Sequence, residues 1–199
     1  MRNLIAVVCV VCSWMGTAVA DSSFQVKVDH LDFDNIPLID IKPGHHGELA
    51  MDQTLRNLGR GLAPVYLYRL PDYKSPKNLL LTTIVEQKRV FSPIVVLLTD
   101  EYQPASIVKG KVSLHRVNQV EISSSVSIPV QPEYKYMLIT TDPASFGKLL
   151  SYKRMNTSMV RVRNDEGVRY VPVTTGIREE NVVIANSGKL ALSAPYQDY

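Results

Sequence analysis

The sequence predicts a mainly β protein, an antiparallel β-sandwich of about eight or nine strands with one short helix. Short apolar runs rich in β-branched residues recur along the chain, as expected for strands. Turn-forming residues interrupt these runs about every ten residues, a spacing typical of sandwiches. Helical spacing predicts a helix only around Phe146, and residues 48–58 fit either a helix or a strand.

The densest apolar content beyond the N-terminal segment lies between residues 79 and 100. It forms two runs, separated by the charged step from Glu86 to Arg89. Their length and β-branched composition favour strand over helix. Because near-continuous apolar runs indicate burial on both faces, we predict two adjacent core strands around which the other elements are arranged.

The N-terminal segment predicts export. Arg2 supplies a positive charge, residues 4–15 are mostly apolar, and small residues at 18–20 precede Asp21. This pattern is typical of a secretory signal peptide cleaved after Ala20. We therefore expect residues 1–20 to be removed and residues 21–199 to form a single exported β-sandwich domain. The leader is too short to span a bilayer, and no later apolar run is long enough, so no membrane span is expected.

Both cysteines, Cys9 and Cys12, lie in the leader, as does the one tryptophan, Trp14. The processed domain would contain no cysteine, so its hydrophobic core and not a disulfide framework must hold it together. The formal net charge of the whole chain is only +3. That charge is too small for the footprint of a nucleic-acid-binding protein, so no nucleic-acid partner is expected.

The individual elements are predicted from the residues that end helices and strands, such as Pro and Gly, and from the alternation of apolar and polar residues. Pro37 disfavours a helix before a short strand at 38–41, and the pattern of residues 48–58 fits a helix and a strand equally well. Asp142 and Pro143 resemble the start of a helix of about two turns, with Phe146, Leu149 and Leu150 on one face. Further strands are predicted at 65–70, 112–114, 120–130, 134–141, 177–185 and 189–192.

The C-terminal part predicts a hairpin. Its strands would cover 159–163 and 168–173, joined by a four-residue loop at 164–167. A turn is expected at 174–176, where two threonines precede a glycine.

Three stretches, residues 61–71, 90–100 and 136–142, resemble the framework of the maltose-operon periplasmic proteins, the MalM family. The first resembles the family's glycine, valine, tyrosine and proline framework. The second is similar to its Val-Phe-small-Pro signature, and the third to a later strand that ends in paired threonines. The order and spacing of these stretches are similar to those of the family across roughly residues 36–150. The chain departs from fuller members by ending without their Ala/Pro-rich stretch and helical end.

The resemblance implies a non-enzymatic periplasmic accessory protein associated with maltose or maltodextrin transport, a binding or scaffolding module without a cofactor. Its expected partners are maltodextrin or another glycan, and envelope proteins. The alternative is a structural subunit of a cell-envelope assembly that uses exposed strand edges or the basic C-terminal part. The sequence leaves the ligand and the oligomeric state open.

Two tyrosine pairs are the candidate ligand surface. Tyr66 and Tyr68 alternate on one predicted strand, as do Tyr134 and Tyr136 on another, so each pair shares a face. On neighbouring strands they would form an exposed aromatic ladder for a glycan or a partner. The alternative, rings half-buried on a sheet face, is the commoner arrangement because cross-strand aromatic pairs stabilise sheets.

Arg161 and Arg163 share one face of the predicted hairpin, in a region with few acidic residues. They are a candidate surface for anionic partners, although a solvated face is the commoner role of such charges.

No motif predicts catalysis or metal binding. His45 and His46 are adjacent on a Pro-Gly loop, without the spacing of a zinc site. No serine lies in a nucleophile elbow, and His115 falls within a strand pattern. We expect no catalytic residue, metal or cofactor.

Overall fold

The computed structural model describes residues 26, 28, 31–51, 54–59, 61–110, 112, 114–116, 122–164 and 167–196. The described part of the chain is 59% strand and 4% helical turn, so the predicted mainly β class is confirmed. The strands are β1 (Leu38–Asp40), β2 (His46–Glu48), β3 (Thr54–Asn57), β4 (Leu62–Arg69), β5 (Lys77–Ile84), β6 (Arg89–Phe91), β7 (Ile94–Leu98), β8 (Pro104–Lys109), β9 (His115–Arg116), β10 (Ile122–Val130), β11 (Tyr136–Thr140), β12 (Leu149–Asn164), β13 (Gly167–Ala185) and β14 (Lys189–Ser193). Their number exceeds the eight or nine expected.

These strands form three sheets. In the six-stranded sheet the order is β1-β4-β11-β7-β8, with β3 also paired to β4. The five-stranded sheet has the order β2-β14-β5-β10-β9, and the third sheet has β12-β13-β6. Pairing is antiparallel except between β1 and β4 and between β13 and β6.

The six-stranded and five-stranded sheets pack face to face over one cluster, which we call the inter-sheet core. The first sheet contributes buried residues of β4, β7 and β11, and the second contributes those of β5, β10 and β14. Alternate residues along each strand reach this core, as the pleat requires. A two-layered arrangement of this kind agrees with the predicted sandwich.

The other face of the six-stranded sheet is also covered. Residues between 26 and 38, together with Leu58 and Tyr102, pack there on β4, β7 and β11 and form an outer cluster. Every residue of β7 is therefore buried, as the sequence predicted. In contrast, β5 alternates between buried and exposed positions, and Leu80 is 46% exposed. The prediction of two adjacent strands buried on both faces is therefore wrong for β5, which also lies in the opposite sheet.

Two predictions in the N-terminal half have clear outcomes. The strand expected at 38–41 is confirmed as β1. The ambiguous segment 48–58 contains the end of β2 and all of β3, with no helix among its described residues. The predicted signal peptide, 1–20, lies outside the described residues.

The predicted two-turn helix is a single 3-10 turn, Pro143–Ser145. Asp142 caps it as expected, because its carboxylate accepts a hydrogen bond from the Ala144 amide at 2.9 Å. The segment then extends into β12, which leaves Leu149 63% exposed. Pairing with β13 thus overrides the local helical spacing.

The predicted hairpin is confirmed but is much longer than expected. Its strands, β12 and β13, pair from Leu149 with Val183 to Asn164 with Gly167. The residues of the predicted turn at 174–176 lie inside β13, where the register shifts at a β-bulge. The last pair leaves two residues for the loop instead of four.

Candidate functional site

Tyr66 and Tyr68 lie on β4 with their side chains in the inter-sheet core, where they are 2% and 0% exposed. The Tyr68 hydroxyl donates a hydrogen bond to the Ala50 carbonyl at 2.9 Å. Burial raises the pKa of Tyr66 to about 12. Because rings at this depth reach no ligand, the predicted exposed ladder is wrong at these two positions.

Tyr134 and Tyr136 do not share a face as predicted. Tyr134 precedes β11, in a turn where its amide donates to the Gln131 carbonyl, and its ring packs on the inter-sheet core. Tyr136 is the first residue of β11 and packs on the outer cluster. The two half-buried rings therefore lie on opposite faces of the sheet.

Arg161 and Arg163 are both exposed, on the part of the hairpin that extends away from the sandwich. We call residues 156–176 the arm. Among the described side chains of the hairpin, Tyr152 and Val182 are the nearest to the arm that belong to a buried cluster. Every described side chain between 158 and 173 is exposed. From its base to its last pair the arm measures about 26 Å at roughly 3.3 Å per residue.

Each face of the arm mixes apolar and cationic side chains. Val160 pairs with Val171, and their neighbours two residues along include Val162 and Val173, so these side chains lie on one face, the valine face. Arg169, which pairs with Val162, lies on the same face. Arg161 pairs with Tyr170 on the opposite face, and Arg163 lies two residues along. This second face, the arginine face, also carries Met159 and Val168.

These apolar side chains are unusually exposed. The four valines are each 42–44% exposed, and Met159 and Tyr170 are each 63% exposed. Scattered exposed apolar residues are ordinary, but a contiguous exposed patch is typical of an interaction surface. The arm is therefore the described part of the molecule with the clearest docking character.

A second feature lies at the edge of the outer cluster. The Tyr102 ring lies between those of Phe33 and Tyr136, with centroid distances of 4.4 Å on both sides and interplanar angles of 13° and 20°. Tyr102 adopts a left-handed backbone conformation, with φ of 58°, which is uncommon for a bulky residue. Burial is the main cause that raises the pKa of Tyr102, and its hydrogen bond with Tyr136 raises that pKa further. Packing on both ring faces holds this strained conformation in place.

Next to the stack lies a cleft of about 570 Å³, lined by Phe33, residues 34–38 and Tyr102. Asp34 is an exposed carboxylate on its wall and is the one charged residue among these lining residues. Arg56 donates a hydrogen bond at 2.7 Å to the carbonyl of Asn35, which also lines the cleft. We call this feature the acidic cleft. Flat rings beside carboxylates can hold a cation by cation–π contact and by charge, or a polar ligand by stacking.

Among the described residues, the histidines form neither a metal centre nor a complete catalytic site. The Ser193 hydroxyl lies 2.8 Å from Nδ1 of His46, a contact that follows from their direct pairing between β14 and β2. Nε2 of His45 is buried with no hydrogen-bond partner. No group of three potential metal-ligating side chains occurs in the part of the chain that the structure describes.

Sequence reasoning found the hairpin and its arginines but missed the acidic cleft. Phe33 and Tyr102 are far apart in the chain, Phe33 in a single 3-10 turn (Phe33–Asn35) and Tyr102 in the connection between β7 and β8, and neither segment is long enough to show periodicity. The local signals were aromatic residues next to acidic ones, at Asp32 to Asp34 and at Glu101. Such patterns do not reveal which segments meet.

The chain matches none of the known families, curated proteins or solved structures with which it was compared. The resemblance to the MalM family stays a prediction. Among the described residues, no helix has the length and apolar character needed to cross a membrane.

Proposed function

We propose that this protein is a non-enzymatic, exported accessory module of the cell envelope that binds a protein partner through the arm. One observation carries the proposal, namely the exposure of every described side chain between 158 and 173, valines and Tyr170 included. A partner that covered both faces would remove these apolar side chains from water. This role corresponds to a scaffolding module or a subunit of an envelope assembly.

The energetics of a two-stranded ribbon support the proposal. An isolated hairpin is at best marginally stable in water, because it lacks a third strand or a packed face. Over residues 158–164 the described pairing of β12 is with β13 alone, so the outer edge of each strand is available for a further strand. A partner can therefore add a strand to either edge or pack on either face.

The distribution of charge favours a protein partner over a membrane surface. A membrane-binding element separates an apolar face from a charged face. Here Arg161 and Arg163 lie among Met159, Tyr170 and Val168 on the same face. A protein surface that offers carboxylates beside apolar groups meets both requirements.

Cross-linking in intact envelopes tests the proposal. Deletion of residues 157–175 removes nearly the whole arm and leaves Asn156 next to Gly176, which pair in the native hairpin. We expect the full-length protein to give specific, stoichiometric cross-linked products that the deletion protein lacks. A matched control replaces the exposed Lys42 and Lys74 by glutamate, outside the arm, and should keep those products. Identical products from the full-length and deletion proteins would refute the proposal.

A carbohydrate-binding role is the second candidate, favoured by the acidic cleft. Phe33 offers an aromatic ring beside the polar groups of Asp34 and Asn35, a combination that suits a sugar. The resemblance to the MalM family implies maltodextrin as the first ligand to test.

A thermal-shift screen with maltodextrins and a wider glycan panel tests this candidate. Binding should raise the melting temperature in a concentration-dependent manner, and Phe33→Ala should abolish the shift. The absence of a shift with any glycan would remove the carbohydrate role without affecting the role of the arm.

A further inference from the structure

We propose that the partner of the arm is an extended segment of a different protein, which adds as a third strand to the outer edge of β12. This inference rests on the proposed function, since it names the kind of partner and its place on the same arm. Its basis is the contrast between the two edges of the arm, together with the charge that β12 carries.

The edge of β12 is long and lacks two common protections. β12 is the outermost strand of its sheet and covers 16 residues. The strands at the other ends of the described sheets, β1, β2, β6, β8 and β9, cover two to six residues each. Residues 149–164 include no proline. Because an exposed edge is a template for a further strand, natural proteins keep such edges short or interrupt them with proline.

Pro172 shows which backbone groups of the arm face outward. It pairs with Met159 but has no N–H to donate to β12. In an antiparallel ladder such a residue belongs at a non-hydrogen-bonded pair, where the backbone groups of both residues point away from each other. Pairs two residues along are of the same kind, so the N–H and C=O groups of Arg161 and Arg163 also face away from β13. The β12 edge thus offers three donors and three acceptors, from Met159, Arg161 and Arg163, to a further strand.

The edge of β13 is interrupted where that of β12 is regular. Pro172 leaves an outward position of β13 without a donor. The β-bulge places its extra residue, Thr175, on β13 and not on β12. Towards the base, residues 183–185 of β13 already pair with β6. Prolines and bulges are devices that keep a further strand from an edge, so the structure leaves β12 as the receptive edge of the arm.

The charge on β12 argues against a second copy as the added strand. When two copies of residues 158–164 pair edge to edge about a two-fold axis, the register of greatest overlap is centred on Arg161 and places that residue opposite itself. A register centred on Val162 places Arg161 opposite Arg163. Like charges directly opposite each other destabilise a strand pair, and residues 158–164 include no acidic residue to offset them.

A different strand avoids this repulsion. Acidic or hydroxyl side chains opposite Arg161 and Arg163, alternating with apolar side chains opposite Val160 and Val162, would match both faces of β12. A third strand would also change the two-stranded arm into a sheet that is stable in water. The recognised chemistry is therefore an extended, alternating segment of another protein, held chiefly by main-chain hydrogen bonds.

Photo-cross-linking from single positions of the arm in intact envelopes tests the inference. A photoreactive amino acid is placed at each of residues 160–163 of β12 in turn, and at residues 170 and 171 of β13. An added strand is the direct neighbour of both faces of β12, about 4.8 Å away, and is twice as far from β13. All four β12 positions should therefore cross-link to one short segment of one protein, at least about tenfold more than the β13 positions. Positions 160 and 162 should reach residues two apart in that segment.

Proline substitutions at one pair distinguish the two edges. Arg161→Pro and Tyr170→Pro each remove an outward-facing N–H from the same pair, the first on β12 and the second on β13. Arg161→Thr removes the guanidinium but keeps the N–H, so it is the reference for Arg161→Pro. Relative to Arg161→Thr, Arg161→Pro should lower the yield of the cross-link from position 163 by about tenfold or more. Tyr170→Pro should keep that yield, which also shows that the arm tolerates an outward-facing proline.

The pattern of cross-links, and not the capture of a protein alone, supports the inference. Cross-links from only one face of β12 would show face packing, and equal losses in the two proline variants would show no preference for the β12 edge; either result overturns strand addition while the proposed function stands. Cross-links to a second copy of this chain or to phospholipid would also overturn the inference. If residues 160–163 cross-link to nothing and deletion of the arm leaves all envelope products unchanged, the proposed function fails as well.

Discussion

Deletion of residues 157–175 should remove the arm without unfolding the sandwich. The deletion joins Asn156 to Gly176, and the flanking residues Met155 and Ile177 already pair. Asn-Gly is the preferred sequence for a two-residue type I′ turn between antiparallel strands. The shortened hairpin therefore retains the register of its base and gains a favourable turn.

The expected change in stability is small because none of the described side chains of the deleted segment belongs to any of the three buried clusters. The deletion removes hydrogen bonds between β12 and β13, but it also removes the conformational entropy lost in ordering those residues. The two effects nearly cancel in a two-stranded ribbon, so the free energy of unfolding should change by about 1 kcal/mol or less. For a domain of this size that corresponds to about 2–4 °C in melting temperature.

Thermal unfolding followed by circular dichroism measures this change. The comparison is Leu97→Ala, which truncates a fully buried side chain of the inter-sheet core. That substitution should cost about 2–5 kcal/mol and lower the melting temperature by about 5–15 °C. If the deletion protein melts as early as Leu97→Ala or does not fold, the arm belongs to the folding unit, and the reasoning from its exposure is wrong.

Three further predictions concern the sandwich itself. Gly188→Ala should lower the free energy of unfolding by about 1–3 kcal/mol, because the added methyl group would lie 3.0 Å from the buried Phe91 side chain. Chemical denaturation measures this change. Gly176→Ala is the matched control, since nothing lies within 4 Å of its added methyl group. Thr140→Val should lower the free energy of unfolding by about 0.5–1.5 kcal/mol, since the buried Thr140 hydroxyl donates at 2.8 Å to the Pro64 carbonyl of β4 and valine has no such donor; equal midpoints in urea would contradict this. Burial raises the pKa of Tyr66 from 10.0 to about 12. The contribution of the neutral side chain to the free energy of unfolding is therefore complete below pH 10 and is lost as the pH rises towards 12. Tyr66→Phe should therefore weaken the alkaline loss of melting temperature, and an unchanged pH profile would count against that cause.

Local patterns in the amino-acid sequence were enough to predict the mainly β class, the fully buried β7, the short β1 and the hairpin of β12 and β13. These features depend on local properties, namely β-branched composition, alternation and the placement of turn residues. The same local signals misjudged the helix after Asp142, because pairing with β13 outweighs a helical spacing of three apolar residues.

Which surfaces are exposed could be learned only from the packing of the sheets. Alternation placed Tyr66 and Tyr68 on one face of β4 but could not say that the five-stranded sheet would cover that face. It placed Arg161 and Arg163 together but could not say that no sheet would cover the hairpin around them. The acidic cleft depends on Phe33 meeting Tyr102. The physical reason is the same in each case: burial is set by packing between elements distant in the chain, and a local pattern constrains only which side chains point the same way.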